Sequence, residues 1–353
     1  MNDFARHIRG WYHTNRRHLP WREINDPYLI WLSEVILQQT RVEQGLEYYL
    51  RFTEQYPDVK LLAEATETDI LKLWQGLGYY SRARNLHYAA GQVINEFGGV
   101  FPDNYKDIRK LKGVGDYTAA AIASITFGEA VPVVDGNVKR VMARIFGLES
   151  SGVRLHREVK MIMERELDQK FPGDFNQAVM EFGALQCTPK NPDCESCIFK
   201  DYCFALKNGH VAELPRKEPQ ARPRSRYFSY LILRIDGKTP GFVMKKRTGN
   251  DIWKNLYDFP LIETENELDE AALKKHTEFM IWLGKQALIE KSTTIYKHQL
   301  THRTIFARFH FISIPRPYEI MMQEDWVIAD PEKLDQLPIP RLIERFIDDN
   351  KLF

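Results

Sequence analysis

The chain has 353 residues, of which 44% are hydrophobic and 12% aromatic, and its formal net charge is +1. This length and apolar content predict more than one folded core. The sequence has no apolar run of membrane-spanning length and no signal-peptide pattern, so a soluble protein of the cytosolic type is the default expectation, cytoplasmic and associated with the nucleoid if bacterial.

Residues 1–208 are rich in segments with the apolar period of a helix. The first long segment, DPYLIWLSEVILQQTRVEQGLEYYLRFTEQY, carries Pro27 at its start, and we expect a break at Gly45. Further helices are predicted in ATETDILKLWQGL, YSRARNLHYAAGQVINEFGG, DIRKLKGVGDYTAAAIASITFG, GNVKRVMARIFGL and REVKMIMERELDQKF. This part of the chain is therefore predicted to be all-α.

The composition changes near residue 209. The stretch 209–226, GHVAELPRKEPQARPRSR, is basic and rich in proline, which is typical of a linker. In 227–353 the apolar period shifts toward two, as expected for strands, and the segments NELDEAALKKHTEFMIWLG and IPRLIERFIDD are predicted helices. The C-terminal part is therefore predicted to be an α+β domain.

All four cysteines of the chain lie in one short stretch, at Cys187, Cys194, Cys197 and Cys203. A reducing compartment and a long chain argue against two disulfides. The spacing C-x6-C-x2-C-x5-C indicates a metal or cluster site. A four-thiolate zinc site and a [4Fe–4S] cluster fit it equally well, and four unligated thiols are the less favoured alternative.

The segment LKGVGDYTA contains two glycines, Gly113 and Gly115, directly before an Ala-rich helix. Glycines allow a close approach of the backbone, and free N–H groups at a helix start bind phosphate. The segment therefore suits a helix-hairpin-helix that holds a DNA phosphate, although an ordinary helix-turn-helix in a core has the same pattern.

Two carboxylates stand out in apolar surroundings. Glu34 interrupts the apolar run LIWLSEVIL, and it lies either on a solvated face or in an apolar cleft that would raise its pKa. Asp135 follows an apolar run and precedes a helix, so it is either an N-cap or an ionised group beside a cleft. One neutral and one charged carboxyl group is the combination used to cleave glycosidic bonds.

The segment LWQGLGYYSRARNL combines aromatic and basic residues. Tyr79 and Tyr80 could form a protruding wedge followed by Arg82 and Arg84, which suits stacking on bases and pairing with phosphates. Aromatic core residues with a solvated basic face would give the same composition.

Six motifs occur together and in a fixed order: LPWR, WLSEVILQQTRV, WQGLGYYSRARNL, LKGVGDYTA, VDGNVKRV and EFGALQCTP. With the four cysteines they closely resemble the adenine DNA glycosylases of the MutY type, which are helix-hairpin-helix glycosylases. The resemblance covers residues 1–208 and implies an all-α glycosylase domain with a [4Fe–4S] cluster loop. It extends more loosely to a MutT-like (Nudix-fold) α+β domain at 227–353.

The resemblance implies a function in base excision repair, in which adenine mispaired with 8-oxoguanine or guanine is flipped out of duplex DNA and excised. Glu34 matches the general acid that protonates adenine, Asp135 the carboxylate that stabilises the sugar cation, and Tyr117 a residue that supports them. Four further residues match family positions around the extruded adenine: Arg17, Trp21, Arg22 and Glu181. The four cysteines match the family's cluster ligands: Cys187, Cys194, Cys197 and Cys203.

Bifunctional relatives such as endonuclease III carry a lysine where this chain has Tyr117, so the resemblance implies a monofunctional glycosylase. Residues expected to contact the DNA or 8-oxoguanine are Leu37, Gln39, Thr40, Tyr79, Gly113, Gly115, Thr301 and His302. The stretch KHQLTHRT has Leu300 where many members of the family have phenylalanine.

We expect a monomer that binds double-stranded DNA, no membrane association, and repair proteins as candidate partners of the linker. Two other hypotheses remain at this point. The C-terminal domain could hydrolyse nucleotides, although it lacks the R-E-x2-E-E core of the metal-binding helix in MutT-type enzymes. Alternatively, the chain could be a non-catalytic DNA-binding module that senses redox state, against which Glu34 and Asp135 argue.

Overall fold

The computed structural model describes residues 4–218, 223–236, 240–315 and 322–352. The chain divides into two compact units, one formed by residues 1–64 and 85–219 and the other by residues 65–84 and 220–353. The domain boundaries expected at 208 and 227 stay predictions, and residues 219–222 of the expected linker lie outside the described residues. Within these ranges, every helix falls short of the length and apolar character required to span a bilayer.

The predicted all-α region is confirmed. Its helices follow one another along the chain from the N-terminus to the cysteine stretch. They are α1 (Phe4–Asn15), a 3₁₀ turn (Pro20–Arg22), α2 (Pro27–Leu37), α3 (Val42–Gln55), α4 (Val59–Glu64), α5 (Glu67–Leu73), α6 (Ser81–Glu96), α7 (Tyr105–Ile108), α8 (Asp116–Phe127), α9 (Gly136–Phe146), α10 (Gly152–Glu166), α11 (Pro172–Leu185) and α12 (Phe204–Lys207).

The first long helical segment breaks before the position expected from its sequence. Helix α2 ends at Leu37, and Gln39 adopts a left-handed backbone conformation with φ of 56°. Gly45 was expected to break the helix but lies inside α3. A Cβ atom at Gly45 would stand 2.7 Å from Leu37 Cδ2, so this glycine allows α2 and α3 to pack closely. The prediction of a break at Gly45 is therefore wrong.

The main core of the helical unit lies between α1, α9, α10 and α11. Large apolar side chains from these helices are almost completely buried, among them Phe4, Ile8, Met142, Val159, Phe175 and Phe182. Burial of side chains of this size stabilises the fold by about 2 kcal/mol each. Three of the four cysteines, Cys187, Cys197 and Cys203, pack against the same core.

The second unit contains the predicted α+β domain. Its elements are β1 (Arg224–Ile235), β2 (Gly241–Lys246), β3 (Tyr257–Asp258), β4 (Leu261–Thr264), α13 (Glu270–Lys275), α14 (Thr277–Leu283), β5 (Leu288–Ser292), β6 (Tyr296–Gln299), β7 (Arg303–Ser313), β8 (Trp326–Ala329), α15 (Pro331–Gln336) and α16 (Arg341–Asn350). The helix predicted for NELDEAALKKHTEFMIWLG is two helices, because the backbone at His276 is extended.

The sheet is centred on two long parallel strands, β1 and β7, which pair from Arg224 opposite Arg303 to Leu233 opposite Ile312. Its order is β3–β2–β1–β7–β5, and β4, β6 and β8 pair with β1, β7 and β2. Strands β6 and β7 are antiparallel neighbours, so residues 300–302 form the tip of a hairpin. Helix α5 and the turn after it, within residues 65–84, also belong to this unit. The rest of the unit begins only at residue 220, more than a hundred residues later.

Candidate active site

A cavity of about 800 Å³ opens in the helical unit, with walls formed by the end of α2, the first turn of α8, the start of α9 and helix α11. A cavity of this size accommodates a flat organic group such as a base. Ten of the residues singled out in the sequence line it: Arg17, Trp21, Arg22, Glu34, Leu37, Gln39, Thr40, Tyr117, Asp135 and Glu181.

Glu34 lies in the last turn of α2, and only 9% of its surface is exposed. Burial raises the pKa of Glu34 to about 7, because a carboxylate loses hydration there. A hydrogen bond with Tyr117 and the positive charge of Arg22 oppose this rise, whereas the negative charge of Asp135 adds to it. Of the two environments that the sequence left open, the structure therefore shows the apolar cleft.

Tyr117 stands in the first turn of α8, where its hydroxyl group reaches Glu34 and also lies 3.5 Å from Met180 Sδ. Burial raises its pKa well above the ordinary value, and the charges of Glu34 and Asp135 act in the same direction. The hydroxyl group is therefore neutral and fixes the orientation of the Glu34 carboxyl group without adding a charge.

Asp135 is the N-cap of α9 and also lines the cavity, so both roles considered from the sequence describe its position. Its Oδ1 accepts from the Val138 backbone N–H at 2.6 Å, and its Oδ2 accepts from Asn137 Nδ2 at 3.0 Å. Burial raises the pKa of Asp135, while these hydrogen bonds and the charge of Arg140 lower it. The charged form thus has more support at Asp135 than at Glu34.

Glu181 projects from α11 and is only 1% exposed. Its carboxylate accepts paired hydrogen bonds from Arg17, at 2.9 and 2.7 Å, and from Arg22, both at 2.7 Å. Burial alone would raise the pKa of Glu181, but the hydrogen bonds from Arg22 and Arg17 outweigh it and lower the pKa to about 2. Paired arginine–carboxylate contacts of this kind are geometrically rigid.

The remaining lining residues come from the 3₁₀ turn and from the end of α2. Trp21, in the 3₁₀ turn, is buried and packs its ring edge-to-face on Tyr49 at 5.0 Å between ring centroids. Leu37, Gln39 and Thr40 follow one another where α2 ends. The left-handed backbone at Gln39 redirects the chain between the end of α2 and the start of α3.

The glycines of the predicted hairpin lie outside this cavity, between α7 and α8. Gly113 has φ of 79°, and a Cβ atom there would stand 2.6 Å from the Asn85 side chain, so the turn requires glycine. Gly115 is the N-cap of α8 and is exposed, as is Lys112. The turn therefore lies at a solvent-exposed helix start, which is the position at which proteins bind phosphate through backbone N–H groups.

Three predicted site residues, Tyr79, Thr301 and His302, belong to the second unit. Tyr79 is 45% exposed and its hydroxyl group forms a short hydrogen bond with that of Thr301. Thr301 and His302 are exposed at the tip of the β6–β7 hairpin.

The prediction of a wedge with two tyrosines is wrong, because Tyr80 is only 4% exposed. Arg82 is buried against the Trp74 ring, with 5.0 Å between its guanidinium and the ring centroid, and Arg84 donates to the Lys254 carbonyl at 3.0 Å. Both arginines are therefore engaged within the second unit, contrary to the expectation that they face phosphates.

All four cysteines line a second, small cavity of the helical unit. Zinc would require the sulfur atoms to converge on one point at about 2.3 Å. Across the described ranges, no group of three or more Cys, His, Asp or Glu side chains is placed to hold a single metal ion. The four thiols nevertheless line one common space, as a four-thiolate metal or cluster site requires.

Helix α9 connects the two cavities. Near the start of this helix, Arg140 donates to Asn137 Oδ1 at 2.7 Å. The same side chain donates to the Cys187 carbonyl at 2.8 Å. One turn later, buried Arg144 donates to the Thr188 carbonyl at 2.7 Å and lies 3.4 Å from Cys187 Sγ. The helix capped by Asp135 thus also holds the cysteine stretch.

Sequence reasoning did not single out Asn137 or Arg140. The signal that could have found them is their spacing. Asn137 and Arg140 are three residues apart on the helix capped by Asp135, and residues three apart share one face of a helix.

Three family models match the chain. Residues 32–169 match the HhH-GPD superfamily of base excision DNA repair proteins, residues 187–203 the iron-sulfur binding domain of endonuclease III, and residues 230–349 the NUDIX domain. These matches confirm the predicted fold class. They also confirm the predicted cofactor, so the cysteine cavity is the site of a [4Fe–4S] cluster.

Similar proteins cover much of the chain. The adenine DNA glycosylase of Buchnera aphidicola subsp. Schizaphis graminum is 32% identical over 319 residues, which cover 86% of this chain and 85% of that protein. The human adenine DNA glycosylase is 41% identical over 222 residues, covering 60% of this chain and 41% of that protein. The structure of a thermostable thymine-DNA glycosylase aligns with a TM-score of 0.55 and 33% identity, covering 58% of this chain and 95% of that one.

Proposed function

This chain belongs to the adenine DNA glycosylases of base excision repair, and on that premise we propose that it excises adenine opposite 8-oxoguanine in duplex DNA without cleaving the strand. One observation carries the proposal: Glu34, with its pKa raised to about 7, and the N-capping carboxylate of Asp135 line the same cavity. A proton donor and a carboxylate side by side are the pair that cleaves a glycosidic bond.

In the proposed reaction, adenine leaves the base stack and enters the cavity. Trp21 offers a flat surface to the purine, and the Arg17–Glu181–Arg22 cluster offers fixed polar groups near it. Because both arginines are already bound to Glu181, the wall keeps its shape when the base arrives.

The proton of the Glu34 carboxyl group passes to a ring nitrogen of adenine, which makes the base a better leaving group. The electron pair of the C1′–N9 bond departs with the base and leaves an oxocarbenium ion on the sugar. Asp135 stabilises this cation or bonds to C1′. Water then attacks C1′ and loses a proton; where Asp135 has bonded to C1′, its carboxylate leaves with the electron pair of that bond, and in either case the product is an abasic site.

Tyr117 supports a monofunctional reaction. A lyase of this superfamily requires an amine that attacks C1′ and forms an imine, and a phenol hydroxyl cannot form one. We expect borohydride to trap no covalent complex of this chain with adenine-mispaired DNA, and we expect the product strand to break only after alkali. A trapped complex on a denaturing gel would contradict the monofunctional assignment.

Recognition of the opposite base is assigned to six of the residues expected to contact the DNA. They are Leu37, Gln39 and Thr40 at the end of α2, Tyr79, and Thr301 and His302. Thr301 and His302 are exposed at a hairpin tip, and hydroxyl and imidazole groups can hydrogen-bond the base edge that distinguishes 8-oxoguanine from guanine. The glycines of the hairpin, Gly113 and Gly115, are assigned to a DNA phosphate.

When bound, the [4Fe–4S] cluster supplies four iron–thiolate bonds that fix the loop Cys187–Cys203, and no step of the excision passes through it. Cys197 and Cys203 pack against the main core, so this loop is attached to the helical unit. We assign this loop to the DNA-binding surface.

A single-turnover assay tests the function. The protein is mixed with three duplexes that carry adenine opposite 8-oxoguanine, adenine opposite guanine, and adenine opposite thymine. We expect fast adenine release from the first, slower release from the second and none from the third. Binding of the first duplex without release of adenine would show a non-catalytic DNA-binding module instead.

The C-terminal unit is proposed as a recognition domain without pyrophosphatase activity. Incubation of the full chain with 8-oxo-dGTP should release neither pyrophosphate nor phosphate, and turnover would overturn this assignment.

We further propose that the protein acts as a monomer in a DNA-containing cytoplasm and that the basic linker is available to repair proteins. Light scattering of the DNA complex checks the first of these statements.

A further inference from the structure

The turn that carries Tyr79 has an unusual backbone. Gly76, Gly78 and Tyr79 have φ values of 94°, 74° and 48°. A non-glycine residue is strained in this backbone region and persists there where the surrounding structure holds it. The exposed Tyr79 ring therefore has its position set by the groups that hold this turn.

Part of this support comes from the turn and its flanking helices. Trp74 Nε1 donates to the Gly78 carbonyl at 2.9 Å, and the Arg82 backbone N–H donates to the Tyr79 carbonyl at 2.9 Å. The Arg82 guanidinium also lies 5.6 Å from the centroid of the Tyr79 ring. These bonds close the turn but do not fix it to the rest of the unit.

The fixed point is the backbone of Ile339, just before α16. Its N–H donates to Gln75 Oε1 at 3.2 Å, and its carbonyl accepts from Tyr80 Oη at 3.4 Å. Gln75 and Tyr80 flank the turn on its two sides, so one peptide segment holds both ends. The Gln75 side chain continues to α16, where its Nε2 lies 3.4 Å from Glu344 Oε1.

We propose that Gln75 is a positioning residue for recognition of the base opposite adenine. By joining Ile339 and Glu344 to the start of the turn, it holds the Tyr79 ring and its hydrogen bond to Thr301 in one arrangement. The inference rests on the proposed preference for 8-oxoguanine. It assigns part of that preference to a side chain on the far side of the turn from the exposed ring.

The chemistry of the Gln75 amide allows a charge-exchange test. Gln75→Glu keeps an acceptor for the Ile339 N–H but places a carboxylate beside Glu344, and two like charges at this distance repel each other. Adding Glu344→Gln removes the repulsion and supplies an amide donor, so the double variant restores both hydrogen bonds with the groups exchanged. Glu344→Gln alone is the matched control.

The measurement is the preference, defined as the ratio of single-turnover excision rates at subsaturating protein on duplexes with adenine opposite 8-oxoguanine and opposite guanine. We expect Gln75→Glu to lower this ratio about tenfold, since one repulsive contact of about 1.4 kcal/mol changes an equilibrium by that factor. The double variant should return it to within about twofold of the wild-type value.

Three outcomes are decisive. A ratio in Gln75→Glu equal to that of the wild type would overturn the inference and leave the proposed function standing. A low ratio in the double variant with a wild-type melting temperature would also overturn it, because the hydrogen bonds would be back without the preference. A wild-type protein that lacks the preference would overturn the proposed function and this inference with it.

Tyr80→Phe is a second test of the inference, which applies even if the Gln75→Glu protein misfolds. It removes a single hydroxyl group that bonds to the Ile339 carbonyl and leaves the buried ring in place. We expect the same direction of change, about threefold in the ratio. An unchanged ratio in a folded Tyr80→Phe protein would also count against the role of Ile339 as the fixed point of the turn.

Discussion

The hydroxyl group of Tyr117 and the carboxyl group of Glu34 share a hydrogen bond inside the cavity that Asp135 also lines. The bond opposes the effect of burial but does not cancel it, so the pKa of Glu34 remains raised to about 7. Tyr117 therefore orients the proposed acid while leaving about half of it protonated at pH 7, and the protonated form is the one that can donate to a base.

Glu34→Gln should lower the single-turnover rate of adenine release about 10³-fold, because an amide of the same shape cannot donate a proton to the base. Duplex binding should change less than about threefold, since the side chain keeps its volume and polarity. Gel-shift titration and adenine release on the same duplex provide the two measurements. Unaltered excision would remove Glu34 from the acid role.

The pH profile of the saturated single-turnover rate should fall as the pH rises through about 7, because only the protonated Glu34 donates. Above that pH the rate should decrease about tenfold for each unit. The Glu34→Gln variant should lack this dependence in whatever residual activity it has. A wild-type rate that stays constant up to pH 9 is incompatible with this assignment.

The same pKa predicts a stability effect. Below pH 4.5 the Glu34 carboxyl group is protonated in both the folded and unfolded states, and between pH 4.5 and about 7 only the unfolded chain ionises. The free energy of unfolding therefore falls across this window, by about 3 kcal/mol, and the full loss is present above pH 7. Glu34→Gln should raise the melting temperature at pH 8 more than at pH 5, and equal shifts in differential scanning calorimetry would argue against a buried acid.

Asp135→Asn separates the cap from the charge. Asparagine caps a helix as well as aspartate does, so the bond to the Val138 N–H should survive and the melting temperature should change by less than about 3 °C. The loss of negative charge beside the sugar should lower excision about 10³-fold. Asp135→Ala, which loses both, should be less stable by about 1 kcal/mol. Full activity of the asparagine variant would show that Asp135 acts only as a cap.

Arg144→Leu should weaken retention of the cluster. The guanidinium is almost completely buried and bonds to the carbonyl groups of Leu214 and Thr188, which leucine would leave unpaired at a cost of about 3 kcal/mol. Iron content and visible absorbance after gel filtration should fall by more than half. Arg154→Leu, at a mostly exposed position on α10, is the matched control and should keep its iron. Equal iron in both variants would refute the expectation.

The sequence allowed prediction of the fold class, because glycine turns and apolar periods are local signals. The spacing of the cysteines indicated a four-thiolate site but left zinc and a [4Fe–4S] cluster open, and the resemblance to the family decided between them. The sequence left the environment of Glu34 open. The pattern of a carboxylate within an apolar helix is the same whether the side chain is buried by α8 and α9 or exposed to solvent. The structure resolves that choice because Tyr117 and Asp135, from distant parts of the chain, close the cavity around it.

The errors at Gly45 and Tyr80 have one physical origin. A glycine can interrupt a helix or permit another helix to approach, and a tyrosine can protrude or fill a core. The outcome depends on the packing partner, which composition does not show: Leu37 on the neighbouring helix α2 in the first case, and Ile339, 259 residues away, in the second. Gln39, with its left-handed backbone, gave no composition signal for the true break.

Because residues 65–84 lie in the middle of the glycosylase sequence but are folded with the C-terminal unit, the order of the chain and the order of its functions do not coincide. A fragment that stops at residue 208 would keep every residue of the catalytic cavity, yet Lys72, Gln75 and Tyr80 would lose the acceptors and donors that the last forty residues provide. Under the proposed function, we expect such a truncation to separate removal of adenine from selection of the base opposite it.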